Sequence, residues 1–576
     1  MRSQFSDSVP VKVQPLSGFD KGNFHLLSAK VGTLVPVLCD ELIPGSRVNL
    51  RQAISLSMPP LASDVYMKCD LKLEAFFVPM RICYGGFESW FSDKPSNQIT
   101  AGEIYEVASY IPRFNFNKAD FIESFDDTWN WSNLAHMVFG QGTLLDYLGY
   151  KVPNGDFYED WGIGAPTALE RVCVLPLVAY GLIYDKWYRN TLVQKSLFAE
   201  PATAVQLTEK YKAAVLPYIK LNANTFNFTI HDYNDYIWAD GESIFSLRQR
   251  NFGFDYFTNA WPSAQLGDEA KVTVDNASQF TISQLRSMNS IQQFRERNNM
   301  ASEKMVDVVK ARYGADLSAG VAQMPLFLGS CSYDVYSKSV NTTAAGKSSV
   351  NPFSQYQGAQ NGNAFAVGNE GIVDNFVANE PGYLFVIASL VPRATYPLGI
   401  SRLLTRYTGG VGTLAEMANP LLQNVGNQPI YSNEYFPFIG GPIFGYTDRY
   451  ADFMSLNDRI SGLFREYNLS AYDFNDQAPE SNASLSFMAL QRNGLDYRES
   501  SVVDPQITTE FLKIPTNYMD GVTAVNSWLS KYGYWLQINF DYKVSQPLAE
   551  YSIPSLQNPA YEHGKTVIVH RGGFSL

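Results

Sequence analysis

The sequence predicts a mainly β fold, a large antiparallel sandwich that carries long insertions. The first observation is the stretch 65–77, in which every odd position is apolar and four of the six even positions are charged. A period of two over so long a stretch fits a strand with one buried face and one solvated face. The second observation is the stretch 534–544, which alternates in the same way near the other end of the chain. Two such strands predict one β domain with large excursions rather than a row of small domains.

The composition favours a protein whose surface is extensively covered by other chains. Aromatic residues make up 14% of the 576 residues and charged residues only 17%. Charged side chains dominate ordinary solvated surfaces, so a low charge content with many Tyr and Phe indicates large contact areas. The 41 Gly and 30 Pro fit a fold with many turns and loops.

Net charge and cysteine usage narrow the class of protein. The net charge of −12 argues against autonomous electrostatic binding of nucleic acid, which needs Lys and Arg to displace counterions from phosphates. The five cysteines are odd in number and form no Cys-x-x-Cys motif, so we interpret them as reduced and buried. No signal peptide is evident, and the apolar run 383–391 is too short to cross a bilayer. We expect a soluble chain without membrane association, made in a reducing compartment.

The first part of the chain predicts an arm followed by three strands. Residues 1–22 are polar and irregular, and we expect an extended arm that orders only against something else. A short strand over 34–43 is interrupted at Pro36, and an alternating strand covers 47–56. The apolar positions of the second strand are Val48, Leu50, Ile54 and Leu56. Pro79 ends the long third strand because proline has no N–H for the ladder.

Three stretches have helical patterns. Residues 142–149 predict one or two turns, and apolar spacings of three and four predict a helix over 175–189 with Pro176 in its first turn. The longest helix is predicted over 283–313 and ends at Gly314. We expect its apolar residues to form a stripe that faces inward. They are Ile282, Leu285, Met288, Ile291 and Phe294.

The second half of the chain alternates between loops and strands. Residues 341–379 are rich in Gly, Ser, Asn and Ala, which predicts a long flexible surface loop. The continuous apolar run 383–391 predicts a strand buried on both faces, and 400–530 mixes loops with short elements. The predicted organisation is an arm over 1–22, one β domain over 23–554 with insertions at about 93–170, 190–380 and 400–530, and a tail over 555–576.

Patterns that would carry catalysis or bind a metal are incomplete. The histidines are scattered at positions 25, 136, 231, 563 and 570, and none has metal-ligand spacing with a cysteine. Residues 345–348 end like a phosphate-binding loop, but Asn341 stands where the first Gly belongs. An acidic cluster includes Asp232, Asp235, Asp240 and Glu242. Tyr236 replaces a ligand that a calcium loop needs there, so we interpret the cluster as a solvated loop. We expect no catalytic residue, cofactor or metal.

A few basic residues are candidates for contact with nucleic acid despite the acidic balance of the chain. They are Arg2, Lys12, Lys21, Arg295 and Arg297. Aromatic residues near the N-terminus, namely Phe5, Phe19 and Phe24, suit stacking on unpaired bases. The alternative, which we favour for Arg295 and Arg297, is pairing with Glu296 or other acids at a subunit interface.

Short motifs along most of the chain resemble the major capsid proteins of the microviruses, small single-stranded DNA phages, and especially their gokushovirus-like branch. The Asp-Tyr-Phe-Thr-Asn-Ala-Trp-Pro motif at 255–262 is the most specific. The other matching segments are 76–81, 87–91, 175–180, 187–190, 284–286, 291–292, 296–297, 328–329, 443–446 and 551–554. One departure is the short stretch between Gly267 and Thr281, where gokushoviruses often carry a long insertion that forms a threefold protrusion.

The resemblance implies an eight-stranded antiparallel jelly roll whose subunits form pentamers and close into a small icosahedral shell. It implies a structural virion protein without catalytic activity, assembled in the host cytoplasm around a circular single-stranded DNA genome. Its partners would be copies of itself, the DNA and a host-cell receptor. Because the chain is acidic, we also expect a small basic DNA-binding protein to neutralise the genome. The alternative from the residues alone is a carbohydrate-binding or carbohydrate-hydrolysing β-sandwich protein, since aromatics and carboxylates also suit sugar sites.

Overall fold

A computed structural model gives the fold of the chain. It describes residues 16–58, 69–84, 87, 91, 97–100, 103–106, 113–115, 142–150, 172–191, 194, 196–198, 227–229, 238, 242–251, 253, 255–257, 260, 282–300, 304–316, 318, 323–341, 360–392, 400–405, 427–431, 443–448, 451–456 and 533–548.

The described residues contain strands and helices in the following order. The strands are β1 Ser17–Asp20, β2 Asn23–Ala29, β3 Val35–Leu42, β4 Arg47–Ser57, β5 Cys69–Pro79, β6 Asn97–Thr100, β7 Glu103–Glu106, β8 Arg113–Asn115, β9 Val172–Cys173, β10 Asn227–Thr229, β11 Leu326–Asn341, β12 Gln360–Val377, β13 Gly382–Pro392, β14 Asn427–Tyr431, β15 Ile443–Asp448 and β16 Tyr534–Gln546. The helices are α1 Met80–Cys83, α2 Leu144–Tyr147, α3 Leu175–Ile183, α4 Ile282–Met300, α5 Met305–Tyr313, α6 Arg402–Thr405 and α7 Ala451–Met454. A π-helical turn, Tyr184–Tyr188, continues α3.

The large sheet has the strand order β1-β16-β4-β12-β11-β5-β13-β3, and β2 also pairs with β16. Strands β1 and β2 lie end to end along β16, because Asp20 pairs with Lys543 and Asn23 with Phe540. The sheet therefore has eight strand positions. One half consists of β1 and β2 with β16, β4 and β12, and the other of β11, β5, β13 and β3. The chain crosses between these halves at most connections, which is the jelly-roll topology. The predicted antiparallel jelly roll is confirmed.

The two halves of the sheet enclose the main hydrophobic core, and strands from both ends of the chain contribute to it. Along β16 the residues are alternately buried and exposed, and β4 alternates in the same way. The predicted inward positions Val48, Leu50, Ile54 and Leu56 are all buried. The core also contains β5 residues such as Leu71 and Leu73. The prediction that the two alternating strands belong to one sandwich is confirmed.

The predicted solvated face of β5 is wrong. Its odd positions face the main core, but Phe76 and Val78 belong to a second core that also contains α3. This second core covers the outer face of the half built from β3, β5 and β13. The excursion, which is the chain between β5 and β11 (residues 80–325), packs on the sheet there with part of its described residues, so charged residues of β5 such as Glu74 need partners. Residues 65–68 of the predicted strand lie outside the described residues.

Strand β13 is buried on both faces, as the continuous apolar run predicts. Leu384 and Val386 lie in the main core, whereas Tyr383, Phe385 and Ile387 lie in the second core. The helix with proline in its first turn is also confirmed as α3. The short helix predicted over 142–149 is confirmed as α2.

Part of the predicted arm belongs to the sheet. Residues 17–20 and 23–29 form β1 and β2, which pair with β16 along its outer edge. Between them, the Lys21 N–H donates to the carbonyl oxygen of Tyr542 at 2.8 Å. The arm therefore orders against its own chain from residue 17 onward. Residues 1–15 lie outside the described residues, and the proposed domain boundaries stay predictions.

The flexible loop predicted over 341–379 is wrong for its second part, because residues 360–377 form β12. Small residues suggested a loop, but here they allow close packing of the backbone. A Cβ added at Gly368 would lie 2.0 Å from Cε1 of the Tyr333 ring, which packs directly over this backbone. Tyr333 is buried in the main core. Residues 342–359 lie outside the described residues.

The longest predicted helix is two helices, α4 and α5. The second ends at Gly314, whose φ of +66° is the left-handed conformation that glycine favours, as predicted. The expected inward stripe is wrong for Leu285, Ile291 and Phe294, which are exposed. The spacing of these apolar residues is helical, but the surface that they present lies outside the core of this subunit.

The contact between Gly368 and Tyr333 generates a stability prediction. Replacing Gly368 by Ala forces the Tyr333 ring or the strand to move, and we expect the free energy of unfolding to fall by about 2 kcal/mol, as in other overpacked cores. Urea unfolding of the unassembled subunit measures this change.

The matched control is Gly371→Ala in the same strand, where the nearest atom to an added Cβ is Cγ of Arg51 at an ordinary 3.6 Å. We expect this substitution to change the free energy of unfolding by no more than about 0.5 kcal/mol. Equal effects of the two substitutions would contradict the packing argument.

Candidate assembly site

The helix α3 connects the excursion to the outer face of the sheet. Tyr180 is central, because its hydroxyl donates to the carbonyl oxygen of Leu34 at 2.8 Å and accepts from the Arg248 N–H at 2.9 Å. Burial raises the pKa of Tyr180, so this hydroxyl keeps its proton. Trp238 packs so closely on α3 that a Cβ at Gly181 would lie 2.8 Å from its ring. The excursion and the sheet thus form one rigid unit here.

A largely buried ion pair, whose two side chains are each 14% exposed, joins the same two parts of the chain. Arg250 binds Glu74 of β5 through two nitrogens, with Nη1 2.6 Å from Oε2 and Nη2 3.1 Å from Oε1. The Tyr188 hydroxyl donates to Oε2 of Glu74 at 2.5 Å, and Arg250 Nη1 donates to the Ser389 hydroxyl at 2.9 Å. The Arg250 guanidinium also lies 5.1 Å from the centre of the Tyr188 ring. Glu74 and Arg250 therefore each form several hydrogen bonds in addition to their opposite charges.

The pKa values of this pair follow from its surroundings. Burial by itself raises the pKa of Glu74, but the charge of Arg250 and the hydrogen bonds from Arg250 and Tyr188 outweigh it and hold the pKa below its usual value. Burial lowers the pKa of Arg250, and the Glu74 carboxylate more than compensates and raises it. The pair is therefore ionised over the whole neutral range.

A second cluster of charges holds the π-helical turn. Oδ1 of buried Asp185 accepts from the Leu197 N–H and from the Ser196 hydroxyl, both at 2.9 Å. Arg189 Nε lies 3.0 Å from the same oxygen, and Lys186 Nζ lies 2.9 Å from Oδ2. Burial raises the pKa of Asp185, but Lys186 and Arg189 lower it further than burial raises it. These contacts fix the π-helical turn, which directly follows α3.

The fixed π-helical turn also contacts the start of α5 and the segment just before β11. Lys304, at the start of α5, donates to the carbonyl oxygen of Lys186. Trp187 of the same turn donates to the carbonyl oxygen of Pro325 at 3.0 Å, just before β11. Its ring lies 5.4 Å from that of Phe327 and 5.9 Å from that of Phe76. Desolvation lowers the pKa of Lys304.

Three groups of exposed large apolar side chains lie on the described surface, in addition to exposed residues elsewhere such as Leu404 and Leu456. On α4 they are Leu285, Ile291 and Phe294, and next to the π-helical turn they are Trp187, Leu326 and Phe327. On the outer face of the β1/β2-β16-β4-β12 half-sheet and the adjoining end of β11 they are Phe24, Leu26, Tyr336, Phe365, Val367 and Trp535. Groups of exposed large apolar side chains mark interaction sites. These three surfaces are the candidate sites of contact with other molecules.

The five residues predicted to face nucleic acid lie in different parts of the chain, and three of them are among the described residues. Lys21 forms an ion pair with Asp40 at 2.8 Å and lies 5.8 Å from the centre of the Tyr542 ring, so its charge is already compensated within the subunit. Arg295 and Arg297 lie in α4. Arg2 and Lys12 lie outside the described residues. The role of all five toward nucleic acid stays a prediction.

The other sequence motifs give no site within the described residues. No group of three or more metal-ligating side chains occurs there. Nδ1 of His25 lies 2.9 Å from the carbonyl oxygen of Val37, a structural contact. Residues 345–348 and most of the acidic cluster lie outside the described part of the chain. Within that part, no helix has the length and apolar character to span a membrane.

Sequence reasoning did not single out Glu74, Arg250 or Asp185. The signal available for Glu74 was its position on the alternating strand, which suggested solvent instead. Arg250 lies 176 residues away from Glu74 along the chain. No local pattern joins residues so far apart, so the pair was found only in the folded structure.

The Glu74–Arg250 pair generates a second prediction. Replacing Glu74 by Gln leaves the charge of Arg250 buried without its partner, and we expect the free energy of unfolding to fall by about 3 kcal/mol. The control is Lys543→Gln, because Lys543 is 66% exposed in its pair with Asp541. Such an exposed pair contributes no more than about 0.5 kcal/mol. Urea unfolding of the unassembled subunit measures both.

The same variant has a pH signature. The pKa of Glu74 is held below its usual value of 4.5, so its contribution is present above that value and is lost as the pH falls through the lower pKa of the folded state. Stability of the unsubstituted protein should therefore decline more steeply in acid than that of Glu74→Gln. Parallel stability curves between neutral and acidic pH would contradict the assignment.

Known proteins match this chain over most of its length. The family model described as "Capsid protein (F protein)" matches residues 9–125 and 150–556. The capsid protein VP1 of Chlamydia phage 1 is 22% identical over 654 aligned positions, which cover 97% of this chain and 98% of that protein. The capsid protein VP1 of Bdellovibrio phage phiMH2K is 22% identical over 474 positions, which cover 76% of this chain and 80% of that protein.

These matches agree with the jelly-roll topology and with the exposed apolar surfaces. The resemblance to microvirus major capsid proteins is confirmed, and the alternative of a carbohydrate-binding sandwich has no support from the matching proteins. A capsid protein assembles with copies of itself into a shell, so part of its apolar surface is expected to be covered only after assembly. The chain belongs to the phage capsid protein (F protein) family and is a structural component of a virion.

Proposed function

We propose that this capsid protein forms pentamers that close into a small icosahedral shell around a circular single-stranded DNA genome. The observation that supports the proposal most strongly is the family match over most of the chain, together with the jelly roll. The protein performs no catalysis. Its activity is assembly in the host cytoplasm, followed by recognition of a host-cell receptor by the finished particle.

The rigid unit of sheet and excursion explains how assembly can be specific. The main core fixes the jelly roll, and the Glu74–Arg250 pair fixes the excursion to its outer face. Contacts around a rotational axis are heterologous, so each subunit presents two different surfaces at a fixed angle. A mobile excursion would spread that angle and prevent closure. The buried charges therefore serve assembly by keeping the contact surfaces in a fixed relation.

The helix α4 is a candidate for one of these contacts. It exposes apolar side chains and carries the basic residues Arg286, Arg295 and Arg297 with a single acid, Glu296. The chain as a whole has a net charge of −12. A basic segment in an acidic chain is complementary to other copies of the same chain. This supports the interface interpretation of Arg295 and Arg297.

A first test is the state of the purified protein. We expect the full-length chain expressed alone or with its genome to sediment as closed shells that electron microscopy shows directly. Double substitution of Leu285 and Ile291 by Asp should leave the subunit folded but shift it toward small species, because it buries charge in a subunit contact. A wild-type protein that stays monomeric under all conditions would contradict the assembly proposal.

A second test concerns the charge of the genome. Because the chain is acidic, most phosphate charge must be neutralised by a small basic protein or by condensed cations. Mass spectrometry and elemental analysis of purified, DNA-filled particles should find one of these in amounts comparable to the phosphate. Particles that contain DNA but neither a basic peptide nor excess cations would contradict the proposal.

A further inference from the structure

The outer face of the β1/β2-β16-β4-β12 half-sheet, continued by the end of β11 that pairs with β12, carries an uncharged, partly aromatic surface. Strand pairing aligns its residues in three rows across the strands. The first row is Ser28, Trp535, Ser57, Phe365 and Tyr336, the second is Leu26, Gln537, Ser55 and Val367, and the third is Phe24, Asn539, Ala53 and Asn369. We call this surface the uncharged face. None of its thirteen positions is Asp, Glu, Lys or Arg.

The large apolar residues of the uncharged face are accessible to a partner. Phe24, Leu26, Trp535, Phe365, Val367 and Tyr336 each have between 41% and 72% of their surface exposed. The rings of Tyr336 and Phe365 lie 6.4 Å apart across neighbouring strands. Leu26 and Trp535 line a shallow groove with Ser28, Ser55, Ser57 and Gln537. Neighbouring strands are about 4.8 Å apart, so the first row spans roughly 19 Å across its five strands.

The chemistry of the uncharged face suits nucleobases. Exposed aromatic rings provide stacking surfaces, and every base has a π face that can stack on them. The interleaved Ser, Asn and Gln side chains donate and accept hydrogen bonds, as base edges require. The core of an obligate protein interface is also poor in charge and rich in aromatic residues, but it is more apolar than this alternation of rings with neutral polar groups. The side-chain set therefore favours single-stranded nucleic acid over a second copy of the chain.

The distribution of charge agrees with that choice. The chain has 56 acidic residues, yet none lies in the three rows, so a polyanion meets no fixed negative charge there. Cations on these strands, such as Arg47, Arg51, Lys338 and Lys543, lie outside the three rows. Arg51 pairs in register with Asp541, and Lys543 Nζ lies 3.5 Å from Oδ1 of Asp541. Attraction to phosphate is therefore weak at this surface, and binding must come from base stacking.

The two outer faces of the sandwich also differ in what covers them. The second core covers the outer face of the half built from β3, β5 and β13, so the bulk of the described excursion lies on that side. Within the part of the chain that the structure describes, the uncharged face is formed by strands alone and is exposed. A container protein with one thick, covered side and one thin, open side can present the open side to its contents.

We propose that the uncharged face binds single-stranded DNA by stacking unpaired bases on Trp535, Phe365 and Tyr336. The proposal rests on the proposed function, because it assumes that the shell encloses single-stranded DNA. It assigns to this chain the contact with the bases and leaves neutralisation of the phosphates to a separate basic partner or to cations. The DNA is then held through contacts that do not depend on its sequence.

The test measures binding of a fluorescently labelled oligothymidylate to the purified full-length protein by anisotropy. We expect Trp535→Ala to weaken binding roughly tenfold, the loss typical of one stacked base, and Trp535→Phe to bind within about threefold of the unsubstituted protein. The matched control is Tyr313→Ala. Tyr313 is another accessible aromatic residue, 78% exposed at the end of α5, and it is not part of the uncharged face. The Tyr313→Ala variant should bind like the unsubstituted protein.

The salt dependence gives an independent readout. A surface that binds by stacking releases few counterions, so the logarithm of the affinity should fall only shallowly with the logarithm of the salt concentration. A steep slope, or a loss of binding confined to variants of Arg51 and Lys543, would overturn the proposal. Unchanged affinity in a folded Trp535→Ala variant would overturn it as well.

Folding and shell formation of each variant are measured in parallel, so that every outcome either supports or contradicts the DNA-binding proposal. If Trp535→Ala has a lower urea midpoint, Tyr336→Ser at the far end of the first row replaces it and should show the same loss of binding. If Trp535→Ala binds the oligonucleotide normally but no longer forms shells, the face is a contact between copies and the proposal fails. If the unsubstituted protein forms no shells, the proposed function fails, and the binding assay still decides whether the face binds DNA.

Discussion

The architecture depends on two neighbouring strands, β5 and β13, that are buried on both faces. One side of this pair packs in the main core between the two half-sheets, and the other side packs against α3. A strand pair in this position couples the jelly roll to the excursion, because any movement of one core disturbs the packing of the other. Glu74 of β5 faces the second core, and its ion pair with the largely buried Arg250 makes this arrangement compatible with a charge on β5.

This coupling has a consequence for assembly. Capsid subunits must present several surfaces at fixed angles, and the excursion and the helices near it carry two of the three exposed apolar surfaces. The cluster around Asp185 holds the π-helical turn, and the turn in turn contacts Lys304 at the start of α5 and Pro325 before β11. Charged groups that are costly to bury are thus used where position matters more than stability. The third surface, the uncharged face, needs no such support because it is formed by the sheet itself.

Much of the jelly roll could be predicted from particular residues. The alternation along β4 and β16 and the apolar run of β13 identify strands, because a sheet with one or two buried faces leaves a direct record in the residue order. Pro176 and Gly314 similarly mark the start of α3 and the end of α5, since each satisfies a local backbone requirement. Strand β12 was missed because its glycines and asparagines are typical of loops. Position 368 needs a glycine because the ring of Tyr333, on a neighbouring strand, packs directly against its backbone.

The sequence by itself determined the class of fold, the pairing of both chain ends in one sandwich and the capsid family, because periodicity and short motifs are local properties. Only the tertiary structure decided that β5 has no solvated face, that Glu74 binds Arg250 and that three aligned rows form the uncharged face. Each of these depends on which distant residues become neighbours, and strand register sets that for whole rows at once. A period of two shows that a face exists, but what covers the face is decided by the rest of the chain and by the molecules that assemble on it.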